Sequence, residues 1–217
     1  MTKSTAESSK KHQISPISQR FRGFLPVVID VETGGTDPNK DALLEIAAIT
    51  LSLNPHGLME LDETFHHHVK PFEGGNLDPK ALAFNKIDPL HPFRFAIDEN
   101  EALKQLFTFV KEAKKQNHCT RAVLVGHNAW FDLAFVKAAA LRCKKIKHFP
   151  FHGFTSFDTA TLSGLAFGQT VLSKAALLAG ISFDETDAHS AIYDAKKTAE
   201  LFCFIVNKWQ KLGGWPL

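Results

Sequence analysis

The stretch Leu25-Pro26-Val27-Val28-Ile29-Asp30-Val31-Glu32-Thr33 decides how this chain is read. Val27, Val28, Ile29 and Val31 give a β-strand from Leu25 to Glu32, because β-branched side chains suit a pleated, packed surface. Side chains two apart on a strand share a face, so Asp30 and Glu32 project together with Cα atoms roughly 6–7 Å apart. Two carboxylates at the end of an apolar strand repel each other and resist desolvation. A hard divalent cation bound by oxygen ligands would offset both penalties. A solvated strand end, with both charges facing water, would satisfy the same pair.

The loop Thr33-Gly34-Gly35-Thr36-Asp37-Pro38 follows, then a second apolar run from Leu43 to Leu53, a turn at Asn54-Pro55-His56-Gly57, and a third strand over about Thr64–Val69. These connections are too short for helical crossovers, so the three strands form an antiparallel meander. Leu103, Leu106, Phe107 and Val110 recur at helical spacing behind a capping-box pair, Asp98 and Glu101. Next comes a short buried strand, Ala122–Gly126, with Asn128 as the expected cap of the helix that opens Ala129-Trp130-Phe131-Asp132. A strand at Thr155–Asp158 precedes helical stretches at Thr159–Phe167 and Leu172–Ala179, the latter stopped by Gly180. The last helix carries Ala195, Thr198, Ala199, Phe202, Ile205, Val206 and Trp209 on one stripe and ends at Gly213-Gly214. The fold class is α/β with a mixed central sheet, three antiparallel strands leading and parallel strands following, flanked by helices.

The chain has 217 residues, 44% of them hydrophobic and 22% charged, which suits one globular domain. Met1 to Gln19 has too few apolar side chains to offset its ordering entropy and is expected to be a disordered tail before a single domain over residues 20–217. Cys119, Cys143 and Cys203 are odd in number and form no C-x-x-C pair, which argues against a disulfide framework and for reduced thiols in a cytoplasmic protein. No apolar run approaches the ~20 residues a membrane span needs. The net charge of +2 says little about partners. Local clusters, Lys10, Lys11, Arg20 and Arg22 and then Arg142, Lys144, Lys145 and Lys147, suit either solvated surface or nucleic-acid contact.

Three more groups draw attention. Asp132 lies in the first turn of a helix, where the helix dipole favours an acid even without a function. Asp194 opens the final helix, and His189, five residues earlier, would not share its face, so His189 lies at or before the first turn and is free to swing towards the acids. His66-His67-His68 lies on a strand where side chains alternate faces, so the three do not form one compact ligand set. Glu45 on the second strand either supports the acidic site or caps the sheet edge, and the sequence does not decide.

Asp30-x-Glu32-Thr33-x-Gly35, His127-Asn128-x-x-Phe131-Asp132 and His189-x-Ala191-x-x-Asp194, in this order, resemble the DEDD exonuclease superfamily, histidine subtype. The resemblance runs from about Arg20 to Leu217. It is strongest to members that trim 3′ ends of structured RNA, through Arg20-Phe21-Arg22-Gly23-Phe24, Asp41–Ile49, Ala81-Leu82-Ala83-Phe84-Asn85, Phe151-His152-Gly153-Phe154 and Gly213-Gly214-Trp215-Pro216-Leu217.

The resemblance implies a ribonuclease-H-like fold and a 3′→5′ exoribonuclease that releases nucleoside 5′-monophosphates. Its substrates would be tRNA ends and rRNA precursors, with activity on single-stranded DNA 3′ ends as well. Asp30, Glu32, Asp132 and Asp194 would hold two Mg²⁺ ions, with Mn²⁺ able to substitute. Asp30 would bridge the ions, Glu32 and Asp194 would serve one and Asp132 the other. His189 would be the general base and would lie near enough to be counted in the metal shell. Phe84, Phe131 and Phe154 match aromatic wedges that stack on terminal bases. Core packing is the plain reading of any one of the 19 phenylalanines, but Phe131 and Phe154 border the inferred active site, and there the stacking role is favoured. Arg20, Arg22, Arg121 and Lys147 match a basic patch that grips RNA across a homodimer.

Two positions depart from the pattern. Thr36 stands where an aromatic commonly follows the double glycine, and Lys80 where an acid often precedes Ala-Leu-Ala-Phe. Both bear on base preference. Three neighbouring readings compete: a proofreading exonuclease subunit of a DNA polymerase, an oligoribonuclease, and a non-catalytic nucleic-acid-binding module. The last would be expected to have lost one of the five polar residues, and none is lost.

Overall fold

A computed structural model describes residues 17–214. Of the tail expected over Met1–Gln19, residues 1–16 lie outside the described residues. Ile17–Arg20, of which Ile17 to Gln19 belong to the expected tail, form a short helix, α1, with Ile17 in the core. Residues 215–217 of the expected Gly-Gly-Trp-Pro-Leu ending also lie outside the described residues.

Five strands form one sheet: β1 (Phe24–Thr33), β2 (Leu43–Leu53), β3 (Met59–His68), β4 (Arg121–Gly126) and β5 (Phe151–Asp158), in the order β3-β2-β1-β4-β5. β1 pairs antiparallel with β2, β2 antiparallel with β3, and β4 and β5 are parallel to β1 and to each other. The mixed α/β sheet expected from the sequence is the one observed, although β3 begins at Met59 and β5 at Phe151, earlier than hydropathy alone suggests.

Seven of the ten β1 residues are buried, which is what its apolar run dictates for a central strand. Pro26 is tolerated there because the ladder to β2 starts one residue later, at Val27↔Thr50, so the missing N–H costs no bond on that side.

The helices are α2 (Pro79–Asn85), α3 (Glu99–Gln116), α4 (Trp130–Arg142), α5 (Thr159–Phe167), α6 (Leu172–Leu178) and α7 (Ala191–Lys211). α7 crosses β1, β2 and β3 and carries α5 and α6 on its flank, whereas α3 and α4 pack on each other and on the sheet. Ala195, Thr198, Ala199 and Phe202 of the α7 stripe are buried as expected. Trp209 is not, and its indole packs on Gly214 and donates to the Gly214 carbonyl at 2.5 Å.

Two local expectations are corrected, and one helix is added. Asp98 precedes α3 but makes no side-chain cap bond, because its carboxylate is drawn to Lys70 Nζ at 3.3 Å. Asn128 does not cap α4. It turns through the left-handed region (φ 67°), and Asp158 at the end of β5 takes the Ala129 N–H at 3.0 Å while also capping α5. α2, which hydropathy did not reveal, is set up by Asp78, whose Oδ1 accepts from Lys80 N, and by Pro79 at its first position.

Candidate active site

The carboxylates gather where β1 ends. One oxygen from each of Asp30, Glu32 and Asp194 lies within 4.8 Å of the others. Strand periodicity brings the first two together, and the passage of α7 across β1 brings the third from more than 160 residues away. Asp132, buried in the first turn of α4, approaches from the β4 side. Its Oδ1 accepts the N–H of Val31, the residue between Asp30 and Glu32, at 3.0 Å. Glycine at 126 makes room for it, since a Cβ there would come within 3.0 Å of Asp132 Oδ2 and 2.9 Å of the Ala129 backbone.

Enclosing four acids has an electrostatic cost. Burial, and then the charges of Asp132, Glu32, Asp194 and Glu45, push the Asp30 carboxyl well above the usual range. Burial raises Glu32 to about 8, with Asp194, Glu45 and Asp132 adding to it, and Asn85 opposes the rise with a hydrogen bond. Asp132 is likewise raised to about 8 by burial, and Asp194 is raised by the same cause. Asp194 Oδ1 is buried without a hydrogen-bond partner among the described residues. A cluster of ionisable oxygens, mutually repelling and partly orphaned, suits a hard divalent cation of the Mg²⁺ class.

His189 sits in the loop just before α7, as its spacing from Asp194 implied. Its backbone is left-handed (φ 68°), its N–H donates to Asp194 Oδ2 at 3.2 Å, and its ring lies 4.1 Å, centroid to centroid, from Phe84. Phe84 projects from α2 and is 65% exposed, so one face of the site is an open aromatic surface. Thr36 and Lys80 are both exposed, Lys80 in the first turn of the same helix.

The other two aromatics part company. Phe154 is 96% exposed on a bulged stretch of β5, where His152 Nδ1 accepts the N–H groups of Phe154 and Thr155 and Lys137 Nζ donates to the Gly153 carbonyl. Phe131 is half-buried, its ring 4.9 Å from that of the buried Phe135, so much of it is core. Trp130 beside it is the exposed ring.

The structure withdraws one member, Arg20, from the basic patch. Arg20 is buried and its Nη2 donates to Gln210 Oε1 at 2.8 Å, which removes it from any exposed patch. Arg22 and Arg121 are exposed and adjacent, since Phe24 faces Arg121 in the β1/β4 ladder. Lys147 is exposed in a 3₁₀ turn leading to β5. These three lie towards the starts of the parallel strands. Asp30 is six residues further along β1, roughly 20 Å away at strand rise.

Several residues at the site were missed or left open by the sequence. Asn85 closes α2 against β1, donating to the Thr33 carbonyl at 3.0 Å and bonding Glu32. Asp41 fills the space beside Gly35, where a Cβ would stand 2.1 Å from its Oδ2, and holds Asp37 N and Asn76 Nδ2. From sequence the double glycine reads only as part of a loop. Glu45, undecided from sequence, faces Glu32 across the β1/β2 ladder and is buried, so it belongs to the site's surroundings rather than to a sheet edge.

A mixed sheet in this order, bearing an Asp-x-Glu pair, two further aspartates and a histidine at the strand ends, defines a nuclease of the DEDD type. The chain belongs to the RNase T exonuclease family, whose pattern matches residues 27–202. It is 57% identical over 207 residues to ribonuclease T of Yersinia enterocolitica, covering 95% of this chain and 96% of that one. It is also 57% identical over 209 residues to ribonuclease T of Citrobacter koseri, covering 96% and 97%. Among solved structures it is similar to E. coli exonuclease I in complex with a dT13 oligonucleotide, with a TM-score of 0.66 at 17% identity over 88% of this chain and 42% of that one. A 3′-exonuclease described for 3′-end-specific recognition of a histone mRNA stem-loop gives 0.65 at 19% identity, over 85% and 64%. At these identities the structural likenesses speak for the fold alone.

Proposed function

We propose that this chain is a metal-dependent 3′→5′ exoribonuclease that trims the 3′ ends of structured RNAs, in tRNA end turnover and maturation of rRNA precursors, and that also accepts single-stranded DNA 3′ ends. The observation that carries the reading is the meeting of Asp30, Glu32 and Asp194 within 4.8 Å, with Asp132 bonded to the backbone between the first two. A binding module would have no use for four acids held against their own repulsion beside a surface meant for phosphates. Its full-length likeness to ribonuclease T supports the RNA reading over a polymerase proofreading subunit.

Asp30, Glu32, Asp194 and Asp132 would hold two Mg²⁺ ions, and Mn²⁺ would serve in their stead. The bound ions would supply charge stabilisation at the attacking and leaving oxygens of an in-line displacement. His189 accepts a proton from the attacking water as its oxygen bonds to phosphorus. The P–O3′ bond then breaks, the new 3′ hydroxyl takes up a proton, and a nucleoside 5′-monophosphate leaves. Phe84 and Phe154, with Phe131 contributing its accessible edge, stack on the terminal bases, an interaction worth about 1–3 kcal/mol per base. Thr36 and Lys80 set the preference among those bases. Arg22, Arg121 and Lys147 contact the RNA backbone away from the reacting end, in a cytoplasmic homodimer where one protomer's patch serves its partner's site.

The test is a 3′-overhanging RNA incubated with and without Mg²⁺, beside Asp30→Asn. Stepwise shortening from the 3′ end that is lost with a chelator and in the variant supports the assignment. Binding without shortening in Mg²⁺ or Mn²⁺ would overturn it and make the chain a binding module.

A further inference from the structure

Beside the catalytic carboxylates lies a second cluster of different chemistry. In the β2/β3 ladder Glu45 is opposite His68 and Ala47 opposite His66, so both histidines share the face of Glu45. His67 points the other way, to Gln105 Oε1 at 2.8 Å. The three histidines indeed do not form one set. Two of them and a carboxylate do, with one atom from each of Glu45, His66 and His68 within 4.8 Å of the others.

Three features of this cluster go beyond a hydrogen-bonded pair. His66 Nε2 stands 2.5 Å from Glu45 Oε1, which gives His66 a partner. The ring of His68 stacks edge-on against that of His66, centroids 5.0 Å apart. His68 Nδ1 is nevertheless buried without a hydrogen-bond partner among the described residues. A buried imidazole nitrogen left unpaired is costly, and in the tautomer protonated on Nε2 its lone pair is free for a cation. The set is two nitrogens and one oxygen, suited to a borderline ion, whereas the catalytic set is all oxygen and suited to a hard one. Ligand atoms at about 2.0–2.2 Å from a tetrahedral ion stand roughly 3.3–3.6 Å apart. A bound ion would therefore open the His66–Glu45 pair, now 2.5 Å apart, and hold all three atoms inside the present 4.8 Å limit. Solvent reaches it past His66, whose side chain is 29% exposed.

We propose that Glu45, His66 and His68 form a second metal site, for a transition metal of the Zn²⁺ class, separate from the hard-cation site of Asp30, Glu32 and Asp194. The site adjoins the catalytic one. The charge of Glu45 acts on Asp30, Glu32 and Asp194, and Ser190, next to His189, has its hydroxyl 3.5 Å from Glu45 Oε1. A cation on Glu45 would relieve part of the repulsion among those acids and would alter the hold on the Ser190 loop. The metal site stands on its own ligands and does not depend on the hydrolytic reading.

The test uses Co²⁺ as probe and the full chain carrying Asp30→Asn, which weakens the catalytic cation site. Visible absorption is followed during titration, with His66→Gln, His68→Gln and His67→Gln compared in that background. The expected result is one nitrogen-ligated Co²⁺ per chain, its affinity at least 10-fold weaker in His66→Gln and His68→Gln and unchanged in His67→Gln. Equal affinity in all four proteins would overturn the proposal. Should a site variant fail to fold, the imidazole NMR signals of the parent Asp30→Asn chain decide. Shifts at His66 and His68 on adding Zn²⁺ support the site, and unmoved signals at saturating Zn²⁺ overturn it.

Discussion

The backbone N–H of Val31 donates to Asp132 Oδ1 at 3.0 Å, so the peptide that separates Asp30 from Glu32 is itself fastened to the third acid. One hydrogen bond thereby fixes the β1 carboxylates against α4, and Asp132 has both a structural and an electrostatic role. Asp132→Asn keeps an acceptor for Val31 and removes an acid that in the metal-free chain ionises only near pH 8. It is expected to raise the melting temperature of the metal-free chain only above about pH 8, and to lower RNA hydrolysis by roughly 100- to 1,000-fold, the scale for losing one transition-state electrostatic contact. Asp132→Ala leaves the Val31 N–H unpaired and should lose about 1–3 kcal/mol of stability as well. Thermal melts and single-turnover rates on the two variants separate these roles.

The raised carboxyls make the metal-free chain sensitive to pH. Folding holds Asp30, Glu32, Asp132 and Asp194 above their ordinary values, so between about pH 4 and 8 the folded chain binds more protons than the unfolded one. Their contribution to stability is fully present below the unfolded values and is lost as pH rises through about 8, where Glu32 and Asp132 ionise. Melting in chelator should therefore fall from pH 5 to pH 8. Adding Mg²⁺ should reduce or reverse the slope, because the cation favours the ionised site. A flat melting profile in chelator would contradict the enclosed-carboxylate picture.

The aromatics should divide by burial. Phe84→Ala and Phe154→Ala remove exposed rings and are expected to weaken binding of a single-stranded 3′ end by roughly 5- to 150-fold each, with melting unchanged. Phe131→Ala removes a ring packed on Phe135 and should lower stability by about 1.5–3 kcal/mol. Fluorescence anisotropy and thermal melts on the three variants test the division.

Arg20 and Arg22, two residues apart, should respond oppositely. Arg22→Gln is expected to reduce the salt dependence of RNA binding by about one unit of slope and to leave stability unchanged. Arg20→Gln breaks the contact with Gln210 and should lower the melting temperature without changing that slope. Binding measured across a salt series reads the first effect, and calorimetry the second.

Thr36→Phe and Lys80→Glu should shift preference among 3′-terminal dinucleotides while leaving the rate on the best substrate within about threefold, a free-energy change of under 1 kcal/mol. Degradation of RNAs differing in the last two bases provides the profile, and an unchanged profile in both variants would remove Thr36 and Lys80 from base selection.

What the sequence by itself determined lies within elements, where backbone geometry imposes the period. Alternation put Asp30 and Glu32 on one face of β1, short turns made β1 to β3 a meander, and the 3.6-residue repeat marked the buried face of α7 at Ala195, Ala199 and Phe202. Motif order then pointed to Asp132, His189 and Asp194 without saying how they meet. Only the tertiary structure decided that, because contacts between distant elements depend on strand register and helix packing, which no local period encodes. It set Asp194 beside Glu32, brought Asn85 to the Thr33 carbonyl, buried Arg20 against Gln210 and put half of Phe131 into the core. The same register turned His66-His67-His68 from a run of three into a pair facing Glu45, since a strand deals its side chains alternately to two faces and the neighbouring strand chooses which face matters.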